Sequence, residues 1–177
     1  ELIISSDKPM TIANVVDLPT EDHIVIKDGV NANLTLAGVN IDVSKGNNAA
    51  FRIGNNKIDE GTKLVENVSI ILKNDSKNIL TSGSSSAGIQ KNENSEQIGT
   101  LTIKGETKDN GNGEIIATGG NDSAGIGASG NRTGSNIIIS GGIVTATGGT
   151  GGAGIGSGKD GTVSDITISG GIVTATG

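Results

Sequence analysis

The sequence predicts an all-β fold, a right-handed single-stranded parallel β-helix (a solenoid) with about five turns of three short strands each. Three observations predict this fold: an internal repeat, an abundance of glycine and a near absence of aromatic residues. The 177-residue chain contains 30 glycines, one phenylalanine, no tyrosine and no tryptophan. Because aromatic bulk is missing, we expect a core of thin stacked layers of isoleucine, valine, leucine and alanine.

The repeat is clearest at the C-terminal end of the sequence. Residues 124–127 recur as 153–156 and residues 137–148 recur closely as 166–177, an offset of 29 residues that sets the minimum turn. We divide each repeat into segments a, b and c, which in the last repeat cover residues 153–157, 165–169 and 172–176. Each segment alternates apolar and polar residues as a strand does. Glycine separates b from c and c from the next a, as expected for corners that need positive φ or a close backbone.

Matching segments can be followed upstream, where longer connections separate them. Stacking them as parallel strands predicts three inward columns of side chains. The columns are Ile26, Ile53, Ile89, Ile126 and Ile155; Leu36, Leu72, Ile103, Ile139 and Ile168; and Ile41, Ile79, Ile115, Val144 and Val173. A helical solenoid is the alternative, but glycine every few residues disfavours helices.

The two ends of the chain differ in how well they fit the repeat. Residues 22–177 are assigned to the β-helix repeats, and residues 1–21 to an N-terminal cap or a partial first turn. The sequence stops on a repeat strand, so we expect more repeats or another domain to follow. Uncapped strands at the ends could pair end to end between molecules.

Composition and charge exclude several classes of function. The net charge of −6 disfavours nucleic acid, which normally requires a basic face. No apolar stretch is long enough to span a membrane, so membrane insertion is not expected. An enzyme is not expected either, and we assign no catalytic residues: the strand faces carry glycine, threonine, serine and isoleucine rather than clustered carboxylates. The only histidine, His23, is interpreted as an exposed residue.

Polar connections between segments a and b are the predicted ligand-binding edge, because insertions of repeat proteins stack along one side and often bind there. Asparagine, aspartate and glutamate can hydrogen-bond sugar hydroxyls or coordinate Ca²⁺. Solvated loops that keep the protein soluble are the alternative. The candidate residues are Asn55, Asn56, Asp59, Glu60, Asn92, Glu93, Asn94, Glu96, Asn131, Arg132 and Asp160.

The segment 109–114 offers weak calcium candidates in Asp109, Asn112 and Glu114. It lacks the spacing of an EF-hand loop, and a turn insert between segments b and c is the alternative. No cofactor is required by the sequence, and Ca²⁺ is a candidate ion.

Threonines on segment c predict an outward row. Thr145 and Thr147 recur as Thr174 and Thr176, and Thr118 and Ser82 extend one row upstream. Such a ladder is typical of ice-binding faces, but threonine is also an ordinary exposed strand residue. The second row is expected to be interrupted upstream, by Ile116 and Leu80, which counts against ice binding.

Residues 30–36, 38–41, 87–92, 123–127 and 168–177 resemble Gly-rich β-helical repeats of large surface proteins from Gram-positive gut bacteria. They are similar to the "carbohydrate-binding domain-containing" group, and the resemblance covers about residues 22–177. It implies a secreted or cell-wall-attached, extracellular setting, beside immunoglobulin-like modules, adhesin modules or glycan-acting enzymes. It implies no catalytic residues.

The leading hypothesis is a non-catalytic extracellular module of a bacterial surface protein. It would be adhesive or bind carbohydrate through its polar loops, or act as a rigid spacer, with a host or bacterial glycan or another surface ligand as partner. One alternative is an accessory domain that positions a catalytic neighbour in a larger glycan-acting or proteolytic enzyme. The other is a polysaccharide-active lyase or glycosidase built on a β-helix.

Overall fold

The computed structural model describes residues 1–16, 18–54, 64–93, 97–107 and 111–177. These residues form nineteen strands and no helix. The first nine strands are β1 (Leu2–Ile4), β2 (Met10–Ile12), β3 (Ile24–Ile26), β4 (Asn33–Leu36), β5 (Asn40–Asp42), β6 (Phe51–Ile53), β7 (Leu64–Val65), β8 (Val68–Leu72) and β9 (Lys77–Thr81). The others are β10 (Ile89–Gln90), β11 (Gln97–Ile98), β12 (Leu101–Gly105), β13 (Glu114–Thr118), β14 (Ile126–Gly127), β15 (Thr133–Gly134), β16 (Ile137–Thr147), β17 (Ile155–Gly156), β18 (Thr162–Val163) and β19 (Ile166–Thr176).

The chain visits the same sheets in the same order in each repeat. Segment a supplies a six-stranded sheet, β1-β3-β6-β10-β14-β17. Segments b and c supply a nine-stranded sheet, β2-β4-β8-β12-β16-β13-β9-β5, with β19 paired to β16. Neighbouring strands in both sheets are parallel. The predicted all-β class with parallel strands is therefore confirmed.

The b-to-c corner of the last two repeats lies within one strand instead of between two short ones. β16 and β19 each run for 11 residues through both segments, and their pairing shifts register between Ile139 and Ile143. Gly142 and Gly171 take φ values of 83° and 87° at this bend, as expected for glycine corners. A side chain at Gly142 would also lie 2.7 Å from Cδ1 of Leu72, so the bend needs glycine for space as well.

Short parallel pairs occupy the connections between segments a and b, where the sequence predicted only insert loops. β7 pairs with β11, and β15 pairs with β18. The hydroxyls of Thr133 and Thr162, 29 residues apart, are 2.9 Å from each other. The a-to-b connections of successive repeats are thus aligned with one another, as the main strands are.

The predicted columns are confirmed in the C-terminal repeats. Ile126 pairs with Ile155, Ile139 with Ile168, and Val144 with Val173. Ile89 also lies beside Ile126, Ile103 beside Ile139 and Ile115 beside Val144, as predicted.

Two columns were wrong by two residues at one upstream step each. Ile89 pairs with Phe51 rather than with Ile53, and Ile103 pairs with Ile70 rather than with Leu72. The predicted pairs further upstream are confirmed, Ile26 with Ile53 and Leu36 with Leu72. A strand presents every second residue to the same side, so a two-residue slip preserves the hydrophobic pattern. Pattern alone therefore could not choose between the two registers.

The third column was wrong by one residue. Ile41 pairs with Leu80, and Ile79 lies on the outer face beside Ile116. Asn78 takes the inward place beside Ile115 and is buried. Ile79 and Leu80 are adjacent apolar residues, so the alternation is satisfied with either one facing inward. The hydrogen bonds of the inward Asn78 distinguish the two registers, because they place Leu80 inward and Ile79 outward.

A single apolar cluster runs through the repeats from Ile4 to Ala146. Its fully buried members include Leu34, Ile70 and Ile103, whose burial contributes about 1.5–3 kcal/mol each. On the last strand, Ile168 is 53% exposed although its neighbour Ile139 is fully buried.

Near the N-terminus, β1 pairs with β3 and β2 with β4. The strands near the N-terminus therefore continue the same two sheets.

Glycines stack without any intervening side chain at the corner from c to the next a. A Cβ at Gly83 would lie 2.1 Å from the carbonyl oxygen of Gly46. A Cβ at Gly120 would lie 2.0 Å from the oxygen of Gly83, and one at Gly149 would lie 2.0 Å from that of Gly120. None of these three residues has positive φ. Here glycine is required by the close approach of backbones rather than by backbone conformation.

Candidate functional site: the a–b edge

The a–b edge is the name we give to the described connections at residues 91–93, 128–136 and 157–165, together with Glu66. It contains buried polar side chains beneath an exposed rim. Of the predicted ligand-binding residues, Asn92, Glu93, Asn131, Arg132 and Asp160 lie in this edge. The others lie outside the described residues: Asn55, Asn56, Asp59, Glu60, Asn94 and Glu96.

Asn92 is buried and bonds to the next repeat. Its side-chain oxygen accepts hydrogen bonds from the backbone N–H of Ser129 at 3.0 Å and from the Ser129 hydroxyl at 3.2 Å. These bonds give partners to the side-chain oxygen of a residue that is only 8% exposed. In this geometry Asn92 holds two repeats together, and its oxygen is not turned to solvent.

Lys91, Glu93 and Asn136 form a second group, in which Lys91 is buried and the other two residues are partly buried. The Lys91 ammonium, on a residue 3% exposed, donates to the Glu93 carboxylate and to the backbone oxygen of Ser135, the latter at 2.9 Å. The side-chain amide of Asn136 donates to the same Glu93 oxygen at 3.1 Å. One carboxylate oxygen therefore contacts an amine and a carboxamide from two different repeats.

Burial shifts the pKa of two groups in this edge. Desolvation lowers the pKa of Lys91, and its hydrogen bond to Glu93 opposes that shift. Desolvation raises the pKa of Glu66, opposed by its hydrogen bond from the backbone N–H of Gly29 at 3.0 Å. Asp28 raises the pKa of Glu66 further, and Lys91 lowers it. The interior beside the a–b edge therefore solvates charged groups poorly.

The sequence reasoning missed Lys91, Glu66 and Asn136. Lys91 aligns with Ala128, since the preceding residues Gln90 and Gly127 are paired. A lysine at the place of a small buried residue is a signal, but it becomes visible only once the register is fixed. Asn136 was hidden for a related reason, because it precedes β16 and has the ordinary appearance of a turn residue.

The exposed rim consists of Asn131, Arg132 and Asp160, together with Lys159. Asn131 and Asp160, equivalent in consecutive repeats, both take φ of 56°. The N–H of Asn131 donates to the backbone oxygen of Lys159 at 2.8 Å, and the N–H of Lys159 donates to that of Asp122 at 3.0 Å. The backbone of the rim is thus held in place, while its side chains offer both donors and acceptors to solvent.

The two described calcium candidates, Asn112 and Glu114, contact different residues. Asp109 lies outside the described residues. The side chain of Asn112 accepts from the N–H of Asp75 at 2.9 Å and donates to its carboxylate at 2.6 Å. Glu114 is 3.6 Å from the Lys77 ammonium. Within the described ranges, no three His, Cys, Asp or Glu side chains come together as a metal-binding group.

The outward threonine row has the predicted length and differs in one member. Thr81, Thr118, Thr147 and Thr176 pair in succession along segment c. Thr81 takes the place expected for Ser82, which is buried and accepts a hydrogen bond from the N–H of Ala50 at 2.7 Å.

The neighbouring row is interrupted, as predicted. Ile116 interrupts it, together with Ile79 in place of the expected Leu80.

His23 lies near the N-terminal end of the sheets, far in sequence from the a–b edge. Its ring nitrogen Nε2 is 2.9 Å from the carboxylate of Glu1, and its side chain is 13% exposed. The ring is thus less exposed than expected. Its partner, Glu1, directly precedes the first strand.

No protein-family model, curated protein or solved structure matches this chain. Over the residues that the structure describes, no helix has the length and apolar character needed to cross a membrane.

Proposed function

We propose that the parallel sheets are the faces of a right-handed β-helix, whose a–b edge is a binding surface. The cyclic order of segments a, b and c supports the winding, and so does their parallel pairing at a spacing of 29 residues in the last repeats. Parallel strands joined by crossovers are nearly always right-handed. Each repeat then presents its a-to-b connection at the same side of the molecule.

The proposed function is that of a non-catalytic extracellular module of a bacterial surface protein, which binds carbohydrate or another surface ligand through this edge. One observation carries the proposal: Asn131, Arg132 and Asp160 are exposed together on a rim whose backbone is fixed by hydrogen bonds. Amide, guanidinium and carboxylate groups suit the hydroxyls of a glycan. Without exposed aromatic rings to stack on sugars, we expect weak binding, with Ca²⁺ as a candidate aid.

A cell-wall-attached or secreted location belongs to the same proposal, and its support is the resemblance of the repeats to Gram-positive surface proteins. The rigid-spacer role is compatible with it, since stacked repeats extend in one direction. Positioning of a catalytic neighbour is the second role that such a module would serve. A polysaccharide-active enzyme is less favoured, because the repeated strand segments carry glycine, threonine, serine and isoleucine rather than clustered carboxylates.

A glycan array, probed with and without Ca²⁺, tests the proposal. The wild-type chain is compared with a triple variant, Asn131→Gly, Arg132→Ala and Asp160→Gly. Glycine is used at two positions because it tolerates the positive φ found there. We expect glycan signals from the wild type and a loss of at least about tenfold in the triple variant, or about 1.4 kcal/mol.

A double variant, Lys45→Ala and Asn48→Ala, is the matched control, because both residues are exposed on a connection outside the a–b edge. It should bind as the wild type does. An equal loss in both variants would show that binding is not located at the rim. No signal from the wild type under either condition would favour the spacer role instead.

A further inference from the structure

The group formed by Lys91, Glu93 and Asn136 has a chemical property that a binding role does not use. An amine and a carboxamide contact the same partly buried carboxylate oxygen. These are the reactants and the proton carrier for amide exchange, in which an amine displaces ammonia from a carboxamide. We propose that Lys91 and Asn136 become joined by an intramolecular amide bond, with Glu93 as the proton-transferring residue.

The position of each group fits one step of that reaction. Glu93 takes a proton from the Lys91 ammonium, and the neutral Nζ attacks Cγ of Asn136 to form the new C–N bond. Glu93 then gives its proton to Nδ2, the Cγ–Nδ2 bond breaks, and ammonia leaves with the electron pair of that bond. Glu93, again a carboxylate, then accepts the second proton that Nζ must lose. Atoms and charges balance, and no oxidant or further reactant is needed.

The surroundings of Lys91 favour the neutral amine that the reaction requires. The side chain of Lys91 is 4% exposed and that of Glu93 is 11% exposed. Burial lowers the pKa of Lys91. A buried ion pair is costly to keep, and the reaction replaces the lysine charge by a neutral amide.

The backbone places both partners. The carbonyl of Ser135 accepts from the Lys91 ammonium at 2.9 Å, directly beside Asn136. Asn136 itself takes φ of 55°, a backbone conformation that non-glycine residues rarely adopt. The N–H of Lys91 donates to the oxygen of Gly127 at 2.7 Å, which fixes the start of its side chain relative to the next repeat. The bond would therefore link consecutive repeats covalently across the a–b edge.

The linkage is particular to one repeat. The place of Lys91 is occupied by Ala128 in the next repeat, which follows from the pairing of Gln90 with Gly127. Asn136 aligns with Asp165, since Ile137 pairs with Ile166. The next repeat cannot form this bond, because alanine has no amine, and an aspartate would in any case release water rather than ammonia.

The test is the intact mass of the purified chain. The proposal expects a mass lower than that of the sequence by one molecule of ammonia, and a proteolytic fragment in which the peptides of Lys91 and Asn136 are joined. Trypsin should fail to cleave after Lys91 in that fragment. A mass equal to that of the sequence would overturn the proposal and leave an ordinary ion pair. Loss of water instead of ammonia would overturn it as well, because the carboxamide would not be the group attacked.

Three variants assign the roles. Glu93→Gln removes the proton carrier with little change in shape, Lys91→Met removes the amine, and Asn136→Gly removes the carboxamide while tolerating positive φ. All three should keep the full mass of their own sequences, whereas Asn131→Gly, on the same edge, should still lose ammonia. Ammonia loss that persists in Asn136→Gly would refute the assignment. If a variant fails to fold, the joined fragment from the wild type still decides the question.

Discussion

The stacked glycines at the c-to-a corner give the sharpest test of how the repeats are packed. In Gly120→Ala the new methyl group would lie 2.0 Å from the carbonyl oxygen of Gly83 and 2.8 Å from its carbonyl carbon. Real Cβ atoms stay beyond about 3 Å from such atoms, so the backbone would have to move by about 1 Å. The neighbouring atoms belong to the main chain, so no side chain can rotate away.

The cost of that movement follows from the bonds at the corner. The N–H of Gly120 donates to Ser86 at 2.9 Å, and the oxygen of Gly120 accepts from Ser123 at 3.1 Å. Overpacking costs about 1–3 kcal/mol and each weakened hydrogen bond about 1 kcal/mol, so we expect a destabilisation of about 3–5 kcal/mol. For a chain of this length that corresponds to a fall in melting temperature of roughly 10 °C.

Gly46→Ala is the matched control, since Gly46 stands at the open end of the same stack. A Cβ there meets only the oxygen of Val43, at an ordinary 3.6 Å, and Gly46 does not have positive φ. Its replacement should be neutral or stabilise by up to about 1 kcal/mol through the unfolded chain. The melting temperatures of both variants are measured by thermal unfolding, with far-ultraviolet circular dichroism as the signal. Equal melting temperatures for the two variants would refute the close packing of this corner.

Three further predictions concern the core and its polar members. Ile139→Ala should lower the free energy of unfolding by about 2–5 kcal/mol and Ile168→Ala by about 1 kcal/mol or less. The reason is that the side chain of Ile139 is fully buried and that of Ile168 is half exposed. Similar urea midpoints for the two variants would contradict these positions of the two side chains in the stack. Asn78→Ala should cost about 2–4 kcal/mol, since it leaves buried backbone groups without partners, whereas the exposed control Asn48→Ala should stay within about 0.5 kcal/mol. The melting temperature of Glu66→Gln should rise relative to that of the wild type as the pH increases above the ordinary glutamate pKa of about 4.3. The reason is that the folded state raises the pKa of Glu66, so ionisation opposes folding only above that pH. A difference in melting temperature that is the same at every pH would rule out this cause.

The sequence predicted the class of fold because the last repeats are nearly identical. Two copies of Ile-x-Ile-Ser-Gly-Gly-Ile-Val-Thr-Ala-Thr-Gly fix both the spacing and the inward face, and the structure pairs Val144 with Val173 accordingly. Upstream, the copies diverge and several registers satisfy the same alternation. The choice of Phe51 rather than Ile53 beside Ile89 depends on where the flanking connections begin, which hydrophobic pattern does not encode.

The candidate site was predictable in location but not in detail. Insertions between segments a and b identified the edge, and Asn131, Arg132 and Asp160 are exposed there as a binding surface requires. Asn92 and Glu93 are equally polar, but Asn92 is buried, Glu93 is partly buried, and both bond to the next repeat. Polarity alone does not separate side chains that face solvent from those that bond to a neighbouring backbone.

Buried polar side chains occur where the repeat departs from its regular form. In the last two repeats the b-to-c corner is a glycine pair, and the backbone itself completes the bend. Upstream, the oxygen of Asn78 accepts from the N–H groups of both Gly38 and Val39 at such a corner. Ser82 and Asn92 likewise bond to backbone N–H groups of neighbouring repeats.

Each of these side chains supplies a partner to a backbone group that would otherwise be buried without one, which costs about 1–3 kcal/mol. Irregular repeats can therefore stack on regular ones without losing their sheet hydrogen bonds. Lys91 likewise donates to the backbone oxygen of Ser135 in the interior. A covalent bond from Lys91 to Asn136 would fix this repeat boundary permanently, at a place where a buried lysine is paired with a partly buried glutamate.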